Sequence, residues 1–473
     1  MRSRAPRTGQ WVAGALVVLG LAGYATADAL DVVPGVLTTA PPAAPATARP
    51  TPSDPAPQTA QPVLPALSDQ APAPSSAGLG RVLGPLLDNP ALGPNVSAAV
   101  VDARSGELLL GRDVDRGHVP ASTTKLLTAA AALTTVGGDT TLATRVVQGV
   151  TPDEVVLVGG GDVLLGRGES QPEQTVGHAG LATLAAQVAS ALSGEGRHEV
   201  AVRYDDSLFE GRAVSPTWDP SDLTHGYVGH VTALGLARDR PHTGHPGAGD
   251  PSKATAAAFV QALRRQGVTV TGTLARSRAT VDARVLGEVR SAPVASITEL
   301  ALTDSDNLLA EVLARLTARA MQRPATFEDS ALAVLDAVRG LGIDVGTARI
   351  VDGSGLGHGS LVPARVIADL LVLAAGDKDP RLRPILVGLP VSGFSGTLAH
   401  RFTGVSTHRA AGLVRAKTGT LTGVSALAGL TVDADGRALV LVFMADDVPP
   451  TGTLAARDAF DKAAVALTAC GCR

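Results

Sequence analysis

Ser122-Thr123-Thr124-Lys125-Leu126-Leu127-Thr128 opens an alanine-rich run that ends at Leu133. The pattern predicts a helix with Ser122 at its start. Residues three apart on a helix share a face, so the hydroxyl of Ser122 and the amine of Lys125 can meet. A serine becomes a nucleophile when a base takes its proton. Lysine is a base only when uncharged, and its free pKa is about 10.4. Lowering it to near 7 takes about 4 kcal/mol, supplied by burial or by a nearby cation. The helix N-terminus also favours negative charge developing at Ser122. Taken alone, a capping serine followed by an exposed lysine is the simpler account of Ser-x-x-Lys.

Composition changes that balance. Of 40 Lys plus Arg in 473 residues, five are Lys: Lys125, Lys253, Lys378, Lys417 and Lys462. Asparagine occurs three times, at Asn89, Asn95 and Asn307. A chain that prefers Arg this strongly keeps Lys where Arg cannot serve, either to lose a proton or to act as a compact point charge. Two of the five lysines and one of the three asparagines fall in short polar motifs.

The second motif is Ser305-Asp306-Asn307, on a break between the apolar helical runs Ile297–Leu302 and Leu308–Leu316. A second serine near a Ser–Lys pair can pass a proton to a leaving amine, and an amide can grip a peptide carbonyl. A plain helix cap is the competing account, weakened by the rare asparagine. The third is Lys417-Thr418-Gly419-Thr420, at the end of a strand-like run. Gly419 lets a ligand backbone approach, the strand edge can pair with an extended peptide, and the lysine with two hydroxyls suits a carboxylate. Lys417 is also a cation that would help depress Lys125. Three motifs in this order are far more specific than any one of them.

Around these motifs the chain reads as an α+β fold. Val96–Ala103, a Ser105-Gly106 turn and Leu108–Leu110 predict a β-hairpin, and Leu413–Lys417, Val424–Val432 and Ala438–Met444 predict consecutive strands. Helical patterns cover Ile297–Ala320, Ser330–Val338, Pro363–Ala374 and Leu454–Ala466. Between the first two motifs lies a mixed stretch, with strand-like Glu154–Leu157 and Val200–Tyr204 and helix-like Leu181–Leu192 and Ala254–Leu263. The division expected is residues 76–138 with 290–473 as one domain, interrupted by inserted sequence at 139–289.

At the N-terminus Arg2, Arg4 and Arg7 precede an uncharged run from Trp11 to Ala27, then Asp28 and Asp31. Basic residues before an apolar run predict export, and residues 1–33 read either as a signal peptide cleaved after Ala25-Thr26-Ala27 or as a retained membrane anchor. Residues 34–75, rich in Pro and Ala, read as a disordered linker. The two cysteines, Cys470 and Cys472, are too close in sequence for an unstrained mutual bridge and lack nearby partners for a metal site. A net charge of −4 gives no electrostatic reason to expect nucleic acid.

The three motifs together resemble those of the penicillin-recognising serine acyltransferases. The long gap between Lys125 and Ser305 is similar to that of the class C type-4 low-molecular-mass penicillin-binding proteins, the D-alanyl-D-alanine carboxypeptidase/endopeptidase group of peptidase family S13. Further stretches resemble the same group: Gly159-Gly160-Gly161-Asp162, Asp205–Phe209 with Trp218 beyond, Asp352-Gly353-Ser354-Gly355-Leu356, and Leu389–Gly393 leading to Gly396-Thr397-Leu398. As local sequence these are turns. One departure is Gly357, where the group commonly has serine.

The resemblance implies a serine β-lactamase/DD-peptidase-like fold, an antiparallel sheet flanked by helices with a large mixed α/β insertion. It implies hydrolysis of D-Ala-D-Ala through an acyl-enzyme on Ser122. Lys125 would activate Ser122, Ser305 would relay a proton, and Asn307 would hold the substrate carbonyl. Lys417, Thr418 and Thr420, with Gly419 between them, would bind the terminal carboxylate, and the N–H groups of Ser122 and Thr420 would form the oxyanion hole. Peptidoglycan stem peptides would be substrates, β-lactams covalent inhibitors, and no metal or organic cofactor is implied.

Three rivals remain open. A β-lactamase shares the motifs, but no compact Glu-x-x-x-Asn element is apparent to hold a deacylating water. A non-catalytic wall-binding scaffold would not need to keep both lysines. A Ser-His-Asp hydrolase using His358, His400 or His408 lacks a Gly-x-Ser-x-Gly elbow. Gly247–Lys253 echoes a phosphate-binding loop with the wrong spacing.

Overall fold

The computed structural model describes residues 8–30, 32 and 71–473. The chain divides into two compact units, Met1–Ala66 and Leu67–Arg473. In the first, Thr8–Ala29 forms a helix. Among the described residues no helix is long and apolar enough to cross a membrane.

In the second unit, five antiparallel strands form the principal sheet, in the order Arg415–Leu421, Val424–Val432, Ala438–Asp446, Asn95–Asp102 and Leu108–Arg112. Its strands read as nearly unbroken apolar runs because helices cover both faces. Ala99, Val101, Ala426, Ala428, Val440, Val442 and Met444 pack toward the central helix Thr124–Ala132 and the helix Ala364–Ala375. Val100, Leu427, Leu441 and Phe443 face Ser76–Leu87 and the closing helix Thr453–Thr468. With few aromatics to fill space, the central helix buries every one of its residues, mostly Ala and Leu.

The sequence between the first two motifs supplies a second sheet, in the order Val285–Pro293, Thr141–Gln148, Glu154–Val158, Glu199–Asp205 and Thr269–Arg276. Glu154–Val158 and Thr269–Arg276 each run parallel to Glu199–Asp205. Such pairings need crossovers, and helices Leu181–Gly194 and Pro251–Arg265 provide them while sharing a core with the sheet. The Gly247–Lys253 stretch is a loop and helix start, with Asp250 capping the N–H of Lys253 at 3.0 Å.

Two expectations are corrected. Residues 34–70 of the anticipated linker lie outside the described residues, but its last part is tied into the fold. Ala71 is buried and its carbonyl accepts from Arg437, while Ser75 N–H donates to the carbonyl of Cys472 at 2.6 Å. Cys470 and Cys472 are bonded to each other, with Cα atoms 5.0 Å apart, inside the span a disulfide accepts. Both lie beyond the end of the closing helix at Thr468, where the backbone is free to turn.

Candidate active site

Ser122 sits in a single 3₁₀ turn, Ala121–Thr123, that runs directly into the central helix. Ala121 is held at φ +46°, a left-handed conformation costly for a residue with a side chain. The turn is pressed against the end strand of the sheet, where a Cβ on Gly419 would come within 2.7 Å of the Pro120 carbonyl oxygen. Glycine at 419 is therefore required for the strand to close on Ser122. The strand continues through the third motif to Leu421, paired with Val424 across a two-residue Thr422-Gly423 turn, so Lys417–Thr420 lie within the strand rather than at its end.

Helices Val294–Thr303 and Asn307–Ala320 are separated by the second motif. Ser305 takes φ +56° and Asp306 caps the second helix through Leu309 N–H at 2.8 Å. The same carboxylate pairs with Arg240 at 2.6 Å, linking the motif to the inserted sequence. The cap reading of this motif thus holds for Asp306, while Ser305 and Asn307 on either side turn to other partners.

Those partners are the two motif lysines, both fully buried. Lys125 Nζ donates to Ser122 Oγ at 2.9 Å, Asn307 Oδ1 at 2.6 Å and the Ser354 carbonyl at 2.9 Å. Lys417 Nζ donates to Ser305 Oγ at 2.8 Å and to the Thr418 carbonyl at 3.0 Å. Ser122, Ser305, Asn307 and Thr420 line one cleft of about 710 Å³, together with Arg240 and Tyr227. The lysines stand behind this lining. Thr418 is buried against the hydroxyl of Thr397 at 3.0 Å, and neither it nor Gly419 faces the cleft. His358, His400 and His408 do not line it.

Burial lowers Lys125 to about 8, against the opposing pull of Asp352, Glu311 and Asp306. Of the two causes expected, burial produces the shift, and Lys417, itself held low, does not add to it. The repulsion acts on Lys417, which burial, Lys125 and Arg401 together hold well below the usual lysine range. Two buried amines this close do not readily carry two charges.

Several site residues escaped the sequence reading. The turn Asp352–Leu356 reads locally as an ordinary Gly-Ser turn, yet its Ser354 carbonyl binds the Lys125 amine. Asp352 organises the turn, accepting from Gly355 N–H at 2.7 Å, Gly357 N–H at 2.6 Å and Trp218 Nε1 at 2.8 Å. Glycine at 357, the departure noted above, is explained: a Cβ there would strike Thr217 Oγ1 and lie 2.8 Å from Asp352 Oδ2. Glu311 is a second omission. It is the one acidic residue in the helix Asn307–Ala320, four positions after Asn307 and so on the same helical face.

Comparison with known proteins agrees with this geometry. The D-Ala-D-Ala carboxypeptidase 3 (S13) family matches residues 81–247 and 247–469. This chain belongs to that family. Among relatives, carboxypeptidase DacB of Mycolicibacterium smegmatis is 36% identical over 434 residues, covering 89% of this chain and 90% of the relative. Carboxypeptidase Rv3627c of Mycobacterium tuberculosis is 35% identical over 88% of this chain and 89% of its own length. Penicillin-binding protein 4 of Haemophilus influenzae shares the fold, with a TM-score of 0.66 at 20% identity over 81% of this chain and 98% of that one. The S13 membership favours a serine DD-peptidase over a β-lactamase, and the α+β expectation with its mixed insertion is met.

Proposed function

We propose that this S13 peptidase removes the terminal D-alanine of peptidoglycan stem peptides through an acyl-enzyme on Ser122. The observation that carries the assignment is the environment of Lys125. Its contacts with Asn307 Oδ1 and the Ser354 carbonyl can only accept protons. A neutral amine satisfies both with its two N–H bonds, and its lone pair is left for the third contact, the hydroxyl of Ser122.

The Ser122 proton then passes to Lys125 as the Oγ–carbonyl bond forms, and the N–H groups of Ser122 and Thr420 receive the developing oxyanion. The proton taken up by Lys125 is relayed through Ser305, held by Lys417, to the departing D-alanine nitrogen, which leaves Lys125 neutral and Ser305 unchanged. Water then attacks the acyl carbonyl and gives one proton to Lys125, which returns it to Ser122 Oγ as the acyl bond breaks. Asn307 directs its Oδ1 to Lys125 and one N–H of its amide to the Tyr227 carbonyl at 2.8 Å, which leaves the second N–H for the substrate carbonyl.

The substrate carboxylate gives Lys417 an anionic partner and raises its proton affinity. A charged Lys417 then repels charge from Lys125, so substrate binding itself favours the neutral base. Because the binding form of Lys417 is protonated, KM is expected to rise as pH rises. Lys417→Met removes the charge-assisted bond and is expected to raise KM by about 10- to 100-fold and to flatten its pH dependence. Steady-state release of D-alanine from a D-Ala-D-Ala peptide, measured across pH, checks both.

A structure of the Haemophilus influenzae relative contains a bound β-lactam; by the same chemistry, β-lactams would acylate Ser122 here. Cross-links that end in a D-alanyl bond fit the same mechanism. The basic, then apolar N-terminus supports an extracytoplasmic location, as a secreted or cell-wall-associated protein or one tethered to the outer face of the cytoplasmic membrane. Incubation with labelled penicillin followed by a D-Ala-D-Ala peptide tests the function. A long-lived adduct on Ser122 and released D-alanine are expected, whereas rapid drug turnover or no adduct would refute it.

A further inference from the structure

Glu311 is buried in the helix that begins at Asn307, with no cleft exposure. Its Oε2 accepts from Gly353 N–H at 3.0 Å and its Oε1 from Ser354 N–H at 2.8 Å. The carbonyl of Ser354 binds Lys125, and the carbonyl of Gly353 accepts from Thr128 Oγ1 on the central helix at 2.6 Å. A peptide unit gripped on both sides cannot rotate. A Cβ on Gly353 would lie 2.6 Å from Ala314, so the turn and the helix are also in direct contact.

We propose that Glu311 is a positioning residue for the acylation step: it holds the Gly353–Ser354 backbone so that the Ser354 carbonyl takes one Lys125 N–H and the amine's lone pair is left on Ser122. This rests on Lys125 being the base. Asn307, Glu311 and Arg315 follow one another at four-residue intervals along one helical face. One contacts Lys125 directly, the next contacts it through the turn, and the third clamps the loop at 210–212 through its carbonyls. A carboxylate suits the middle position because each oxygen meets one N–H. Glutamine offers one acceptor and would set an N–H against another.

The charged groups around this point are Asp352 on the turn, Arg315 on the same helix, Lys125 on the central helix, Asp306 at the helix start and Lys417 on the strand. Burial and Asp352 push Glu311 up, opposed by Ser354 and by the Gly353 and Ser354 N–H groups, which favour its charged form. Removing the Glu311 charge removes one of the carboxylates that hold Lys125 protonated, so the Lys125 transition moves to lower pH.

The test is Glu311→Gln in the full chain, read by D-alanine release, melting temperature and the pH titration of Lys125. The expected result is a fall in kcat of about 100-fold, as for a misplaced reacting group, with KM unchanged because the carboxylate-binding strand is untouched. The Lys125 transition should move down in pH. Wild-type kcat would overturn the proposal, and so would a loss accompanied by a lower melting temperature with the transition unmoved. Should this variant fail to fold, Thr128→Val loosens the same turn without changing charge. It should lower kcat at constant KM, and wild-type kcat there would equally overturn the proposal. Absence of a penicillin adduct on the unaltered protein would instead refute the underlying function.

Discussion

Ser122→Ala should abolish the penicillin adduct entirely and lower D-alanine release by at least about 1,000-fold, leaving only what binding and the oxyanion donors provide. No neighbour can take over the role. Ser305 is engaged by Lys417 at 2.8 Å, and the Lys125 amine lies against Ser122 rather than Ser305. The fold should persist, because Lys125 keeps Asn307 and the Ser354 carbonyl as partners and loses one hydrogen bond, about 1 kcal/mol. Intact-mass spectrometry after penicillin treatment, with a melting curve alongside, checks both parts. A stable adduct at any other residue would contradict the assignment.

Lys125→Met has a comparable effect on rate by a different route. The nucleophile remains but has no base, so acylation should slow by about 1,000-fold while the slow adduct still maps to Ser122. That difference from Ser122→Ala separates a missing nucleophile from an unactivated one. Methionine also leaves Asn307 Oδ1 and the Ser354 carbonyl without their buried donor, a cost of about 1–3 kcal/mol. Arginine would not rescue activity, because its proton is never released under these conditions. Stopped-flow acylation with a fluorescent β-lactam, followed by peptide mapping, measures rate and site together.

Much of this was visible in the chain before its structure. In an Arg-rich sequence, Lys125 and Lys417 stood out as residues retained for a property of the amine, and both are buried at the same site. The strands Val424–Val432 and Ala438–Asp446 were legible because burial on both faces leaves unbroken apolar runs. The long separation of Ser305 from Lys125 pointed to inserted sequence, and that stretch supplies the second sheet.

What was not legible depends on contacts made across the fold. Nothing local marks the Ser354 carbonyl, since any residue has one; its role arises because Glu311 and Thr128, from two different helices, hold the same turn. Which of the two expected causes shifts Lys125 was left open for a related reason. Sequence shows which charges exist, whereas desolvation depends on what surrounds them, and here the central helix is covered on every side. Glu311 did leave a trace: a single acid in an apolar helix, one turn from Asn307. Ala71 and Ser75 gave none, because their partners lie at the opposite end of the chain.

The central claim is that Lys125 can lose its proton beside Ser122, and five lysines make it directly measurable. With lysine labelled by ¹³C at Cε, each side chain gives one resonance whose shift reports its charge. The resonance missing from Lys125→Met should titrate with a midpoint near 8. If that resonance instead stays in the charged form up to about pH 10, Lys125 is not the base and the account fails.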